Sequence, residues 1–145
     1  MANSYRLGVF RRLINVAASA GLRIGIAPRG TYLLTTTGRK TGRRHTTPVQ
    51  LIEDDRDRFL VAPYGTVNWV HNARAAGEVT LTRGRRSTTH PITEVGPTEA
   101  APVLKRYVNK VPVVRPFFDA AKGAPVSAFE AEASRHPVFR LGEAR

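Results

Sequence analysis

Residues 35–48 read TTTGRKTGRRHTTP, with Arg39, Lys40, Arg43 and Arg44 crowded around Gly38 and Gly42. The runs on either side, 32–37 and 46–52, read as β-strands, so the segment between them is a hairpin turn. Glycine belongs where a turn needs positive φ or a close approach of the backbone. A turn does not need four cations. Like charges this close repel one another unless an anion or water lies between them. Two readings follow: a solvated hairpin tip, or a site for a phosphate-like anion.

Topology narrows the second reading. A Walker A loop places Gly-Lys-Ser/Thr before a helix, whereas here Gly42 leads into Arg43-Arg44 and a strand. The same strand excludes a Rossmann fingerprint. What remains is a nest of backbone N–H groups flanked by cations. In such a nest Arg grips phosphate bidentately and Lys acts as a point charge. His45 adjoins the loop and is a candidate member of the anion site.

The rest of the chain reads as short strands with a few helices. After 32–37 and 46–52 comes an acidic, exposed turn at 53–57 and a third strand at 58–63, an antiparallel meander. Residues 65–76 (GTVNWVHNARAA) turn helical, with Gly77 as the C′ residue. Two strands, 79–83 and 87–95, flank Gly84. A helix opens at Pro97-Thr98, with Thr98 as N-cap, and runs to about Lys110. Residues 111–124 read as irregular or as a short helix, 127–135 as helix, and 136–141 as a last strand. Helices do not alternate with strands, so the expected class is α+β: a small, mostly antiparallel barrel or bent sheet with flanking helices.

Charge bears on the partner. The 145 residues carry 23 Lys and Arg against 11 Asp and Glu, a net charge of +12, and no acid precedes Glu53. Such an excess attracts nucleic acid, an anionic membrane surface or a phosphorylated small molecule. At this length a single domain over 1–145 is expected. Residues 5–20 place Leu7, Phe10, Leu13, Ile14, Ala17 and Ala20 at helical spacing, with Arg6, Arg11 and Arg12 elsewhere on the wheel, and Gly21 as a stop. This basic amphipathic helix over 1–21 fits three roles: core cover, peripheral contact with anionic lipid, or a nucleic-acid arm. The chain has no cysteine and no apolar run near ~18 residues, so a cytoplasmic location is expected, with the inner face of the plasma membrane as the peripheral alternative.

Catalytic side chains are sparse. His45, His71, His90 and His136 show no metal-ligand spacing with a carboxylate, and no metal is expected. No G-x-S-x-G elbow is present. If the chain is an enzyme, a cofactor supplies the chemistry and the protein positions it. The sole tryptophan sits in Asn68-Trp69-Val70-His71-Asn72, either as a core anchor or as an aromatic wall with Asn68 and Asn72 as amide partners for a heterocycle. No aromatics are interleaved on the strands in the manner of RNA binders, so nucleic acid is not the expected partner.

Three features in order, TTTGRKTGRRHTTP, the strand ending Val61-Ala62-Pro63-Tyr64-Gly65, and NWVHNARAAGEVTL, resemble the deazaflavin-dependent nitroreductase family, whose members use coenzyme F420. The similarity is strong over residues 31–95 and weaker at both ends. It implies a split β-barrel related to the FMN-binding barrels, with 31–95 as the cofactor-binding core and 97–145 as helices and the last strand. It places the cofactor phosphate on Lys40, with Arg39 and Arg43 or Arg44 nearby, and puts His45 where relatives often carry Arg. It further implies that the backbone of Thr47, Pro48 and Val49 bonds one edge of the deazaflavin. Ala62, Tyr64, Gly65, Asn68, Trp69 and Asn72 would line the other side. Where relatives that reduce nitroimidazoles carry a Tyr-rich segment, this chain has Arg115-Pro116-Phe117-Phe118, with Tyr107 upstream. Tyr107, Phe117 and Phe118 are therefore the expected substrate pocket.

The expected activity is hydride transfer from reduced coenzyme F420 to an electron-poor small molecule: a quinone, enone, unsaturated lipid or nitro compound. Catalytic side chains, proton donor and oligomeric state stay open. Two alternatives stand beside it. One is the same barrel with FMN, and the other is a non-catalytic basic protein that binds nucleic acid or a membrane surface.

Overall fold

The computed structural model describes residues 30–145, and the amphipathic helix expected over 1–21 lies outside the described residues. Six antiparallel strands close on themselves in the order β1-β2-β3-β6-β5-β4. They are β1 (Thr31–Thr37), β2 (Arg44–Glu53), β3 (Arg58–Val61), β4 (Glu78–Arg83), β5 (Arg86–Glu94) and β6 (Val138–Leu141). The expected meander is present as β1-β2-β3, and the HPVFRL run supplies the strand that completes the barrel. Closure removes open sheet edges almost everywhere. The exception is on β2.

Alternation explains two cores. Along β2, β3 and β6, Leu51, Leu60 and Phe139 point into the barrel with Leu34, Val79 and Leu81. Their neighbours Ile52, Phe59, Val61 and Val138 point outward, under the later helices. Successive side chains on a strand face opposite ways, so continuous runs such as RFLV and VFRL mark strands buried on both faces.

Among the described residues, three helices cover the barrel. Helix α1 (Asn68–Ala76) sends Val70 and Ala73 into the inner core and ends at Gly77, whose φ of 72° is the left-handed C′ conformation expected there. Helix α2 (Pro97–Lys110) buries Ala100, Ala101, Val103, Leu104, Tyr107 and Val108. Its N-cap is Gly96, with Pro97 at the first helical position, and not Thr98. Thr98 lies one residue inside the helix, where its hydroxyl donates to Glu130 Oε1 at 3.3 Å. At the other end, Arg115 donates to the carbonyls of Val108 and Asn109, which the helix leaves unpaired. Residues 111–124 contain a 3-10 turn, Pro112–Phe117, followed by α3 (Val126–Glu132) and a second 3-10 turn, Ala133–Arg135.

Phe129 is fully buried in the outer core between α2 and the barrel. Phe129→Ala is expected to lower unfolding free energy by about 3–5 kcal/mol in urea titration. Val126→Ala on the exposed face of the same helix should stay within about 0.5 kcal/mol of the wild type.

Candidate functional site

The site begins with the length of β2. Residues 44–50 pair with β1 on one side, and only residues 51–53 meet β3 on the other. Leu51 N–H donates to Gly30 O at 2.8 Å, and bonded positions alternate along an antiparallel ladder. The register Tyr32↔Val49, Leu34↔Thr47 and Thr36↔His45 therefore commits the amides of Val49, Thr47 and His45 to β1. The main chain of Thr46 and Pro48 faces the opposite way, where no strand follows. Pro48 has no N–H to leave unsatisfied there. Side chains close the narrow pairs: Thr31 Oγ1 donates to Gln50 Oε1 at 2.7 Å, and the hydroxyls of Thr35 and Thr46 meet at 3.0 Å. This corrects one expectation from the resemblance. The amides of Thr47 and Val49 are already used, so the groups left to bond a ligand edge are Thr46 N–H and the Thr46 and Pro48 carbonyls.

A cavity of about 530 Å³ runs along that open edge. One wall is His45, Thr46, Thr47, Pro48, Val49 and Gln50. The facing wall comes from the β3–α1 connection, with Pro63, Tyr64, Val67, Asn68 and Trp69. Tyr107, Val111, Val113 and Val114 complete it from the end of α2 and the 3-10 turn that follows. Trp69 packs on the inner core, 6.0 Å from the Phe139 ring, and also lines the cavity.

At the His45 end lies the basic loop, residues 38–43. Gly38 N–H donates to Arg43 O at 2.6 Å, and Gly42, with φ of 72°, returns its N–H to Gly38 O at 2.9 Å. A Cβ on Gly38 would stand 2.8 Å from Thr41 Oγ1 and 3.2 Å from His45 Nε2, so the turn closes only over glycine. Lys40, Arg43 and Arg44 are exposed, and no carboxylate among the described residues pairs with them. That leaves their charge available to an anion.

Asn72 lies elsewhere than expected. It is buried, absent from the cavity wall, and its Oδ1 accepts from both the backbone N–H and the Nη1 of Arg39, at 3.1 and 2.9 Å. Asn72 ties the basic loop to α1 instead of facing a heterocycle. Ala62 is buried in the inner core, and Gly65, with φ of 90°, closes the turn at residues 62–65. Phe117 and Phe118 do not line the cavity. In a 3-10 turn residues three apart share a face, so Phe117 continues the buried row from Val114 into the outer core. There its ring meets Tyr64 edge-on at 4.7 Å, from behind the wall.

Tyr107 is the most deeply buried of the polar residues that line the cavity. Tyr107 is 4% exposed, and its burial, with Tyr64 alongside, holds its phenol above the ordinary tyrosine value. The hydroxyl stays neutral and available as a donor. The valines at 111, 113 and 114, with Thr31 and Gln50, were not anticipated. Their position depends on how the chain leaves α2, which no local pattern encodes. The signal for Gln50 was the strand alternation of β2, and Thr31 stands opposite it on β1.

Residues 9–117 match the family described as F420H(2)-dependent quinone reductase. A search of curated proteins finds no match. Among solved structures, an F420-H2 dependent reductase, FDR-A, is 24% identical over 78% of this chain and 94% of its own, with a TM-score of 0.52. A NimC/NimA family protein from Clostridium acetobutylicum is 13% identical over 98% and 87%, with a TM-score of 0.56. A putative pyridoxamine 5'-phosphate oxidase from Listeria innocua is 9% identical over 94% and 96%, with a TM-score of 0.55. At these identities the structures establish a shared barrel. The family match does more, because it spans the basic loop, the open edge of β2 and Trp69 together. The chain belongs to the F420H(2)-dependent quinone reductase family and is an F420-dependent reductase.

Proposed function

We propose that coenzyme F420 lies in the cavity along β2 and that the acceptor it reduces is a quinone or a similarly apolar, electron-poor molecule. One observation carries this: a cavity lined by Tyr107, a buried neutral phenol, begins at His45, the residue that follows a loop of cations with no carboxylate partner among the described residues. The donor set suits the cofactor. Lys40, Arg43 and Arg44 would hold its phosphate and acidic tail by charge-assisted contacts, with His45 beside them. Arg39 is oriented by Asn72 and shapes the loop. Pro48, Val49 and Trp69 offer the flat apolar faces that a fused ring needs, and Thr46 N–H with the Pro48 carbonyl offers polar partners for its edge. Asn68 lies on the same wall.

When bound, the reduced cofactor supplies a hydride. The chain supplies position and field. Reduction of a quinone adds a hydride and a proton, and negative charge develops on an oxygen between the two. The buried Tyr107 hydroxyl, with Tyr64 near it, would donate to that oxygen. Val111, Val113 and Val114 present methyl groups to the acceptor's body, and Val113 is 42% exposed at the mouth.

Residues 1–21 support a finer placement. Arg6, Arg11 and Arg12 beside Leu7, Phe10 and Leu13 suit peripheral contact with an anionic inner leaflet, where lipid-soluble quinones partition. No helix among the described residues is long and apolar enough to cross a membrane.

Titration with reduced or oxidised F420 should quench Trp69 fluorescence, and no change at micromolar cofactor would remove the cavity assignment. Lys40→Ala should weaken cofactor binding by about 1.5–3 kcal/mol, read from the same titration. Tyr107→Phe should lower kcat for quinone reduction by about two orders of magnitude while cofactor affinity holds. The same substitution should leave unchanged the tyrosinate absorbance that appears near about pH 10, because Tyr107 ionises above that range. Liposomes containing anionic lipid should retain the full chain at low salt and release it when residues 1–20 are deleted.

A further inference from the structure

Behind the cavity wall lies a buried ionisable pair with no part in the chemistry above. Glu132 is 2% exposed and His136 is 4% exposed. His136 Nδ1 lies 2.9 Å from Pro63 O, and its Nε2 lies 2.8 Å from Glu132 Oε1. Glu132 also accepts two backbone amides, from Asp119 at 3.1 Å and Ala120 at 2.6 Å. The Phe118 ring stacks on the imidazole at 3.9 Å between centroids.

Pro63 belongs to the turn that carries Tyr64 into the cavity. Gly65 N–H donates to Ala62 O at 3.3 Å to close that turn, and Ala62 N–H donates to Pro137 O at 2.8 Å. A Cβ on Gly65 would lie 3.4 Å from Arg135 O, so the turn sits directly on residues 135–137. His136 supplies a side-chain hydrogen bond to its buried Pro63 carbonyl, and Phe117 braces the Tyr64 ring.

The pattern of partners constrains the proton count. Pro63 O is only an acceptor, so Nδ1 must carry a proton. Glu132 has an amide N–H aimed at each oxygen, contacts that favour its ionised form, and as a carboxylate it accepts from Nε2–H as well. A singly protonated ring cannot serve both. We propose that doubly protonated His136, held by Glu132, is a proton-dependent latch: it positions the 62–65 turn and thereby Tyr64 in the cavity wall. When the ring loses a proton, the ionised Glu132 keeps the remaining one more strongly than the neutral Pro63 carbonyl does. The turn is then released. His136 is thus a positioning residue, and the proposal rests on the reading that this cavity holds cofactor and acceptor.

Other charged groups face the pair. Arg135 Nη2 pairs with Asp119 Oδ2 at 2.9 Å and stands 3.8 Å from Glu132 Oε1. From the far side, Tyr64 and Tyr107 border the turn. Arg135 and Asp119 largely offset one another, leaving the imidazole proton as the variable element.

The test uses the full chain labelled with nitrogen-15 in its imidazoles, with His136→Asn identifying the signal. Across a pH series in which the fold persists, both ring nitrogens should be protonated at the acid end. Nδ1 should lose its proton toward the alkaline end, with Tyr64 ring resonances shifting at the same midpoint. In steady-state reduction of menadione by reduced F420, the quinone KM should rise about two- to tenfold across that midpoint, with kcat changing less. In Glu132→Gln the amide donates to Nε2, so a neutral ring keeps Nδ1–H on Pro63 O and the KM profile should be flat. One proton on the ring at every pH, Tyr64 signals indifferent to the titration, or an unaltered KM profile in Glu132→Gln would each overturn the latch. Absence of any quinone reduction by the wild type would overturn the proposed function instead, and the Tyr64 shifts would still decide the latch.

Discussion

The structure depends on a mismatch in strand length. β2 has ten residues, of which seven pair with β1 and three with β3. An antiparallel barrel of shorter strands would satisfy every backbone group and leave nothing open. Here the extra length of β2 leaves an edge that no strand covers, and the cavity forms against it. The sequence tolerates the edge because Pro48 occupies one of its outward positions, removing a donor that would otherwise need a partner. Threonines fill the flanking pairs and satisfy one another across the ladder. Such a strand offers a ligand a line of polar backbone beside apolar side chains, a combination that suits a flat heterocycle better than a buried core would.

The same edge explains the position of the cations. The β1–β2 hairpin turns at the end of the open stretch, so its loop adjoins the His45 end of the cavity. Among the described residues the ion pairs lie elsewhere: Arg74 with Glu94, Arg140 with Glu99, Arg145 with Glu78. Those exposed pairs contribute little to stability individually. Leaving Lys40, Arg43 and Arg44 without such partners keeps the loop's positive field for a ligand. Its shape depends instead on the missing Cβ at Gly38 and on a buried amide oxygen of Asn72 that takes two donors from Arg39.

Much of this was legible before the coordinates. The strands, the helix around Trp69, the Gly77 stop and the helix from Pro97 to Lys110 follow from residue pattern, because each has a local cause in alternation, helical period or glycine geometry. The basic loop announced itself by charge. What failed was direction. Asn72 carries the chemistry expected of a ligand partner, but a turn of helix separates it from the wall that Asn68 and Trp69 share. Phe117 and Phe118 looked like a pocket because they are large and apolar. The same property drives them into the outer core, and the smaller valines at 111, 113 and 114 are left to line the cavity. Composition distinguishes apolar from polar, but which apolar side chain faces a cavity and which faces a core is decided by long-range packing.

Two layers then separate function from support. The inner layer touches the cavity and is mostly uncharged: Trp69, Tyr64, Tyr107 and the valines. Its donors are the Tyr107 phenol, held neutral by burial, and backbone N–H groups. The ionisable groups that hold this layer in place, Glu132 and His136, lie one shell further out and are satisfied by each other and by backbone. A charge placed directly in the chamber would attract water and weaken the polar contacts there. Placed behind Pro63, it fixes the wall without entering it. Burying that pair is costly unless every lone pair and proton finds a partner. Asp119, Ala120 and Pro63 supply those partners through their main chains, so the Tyr64 turn and the loop before α3 are both bound into one network.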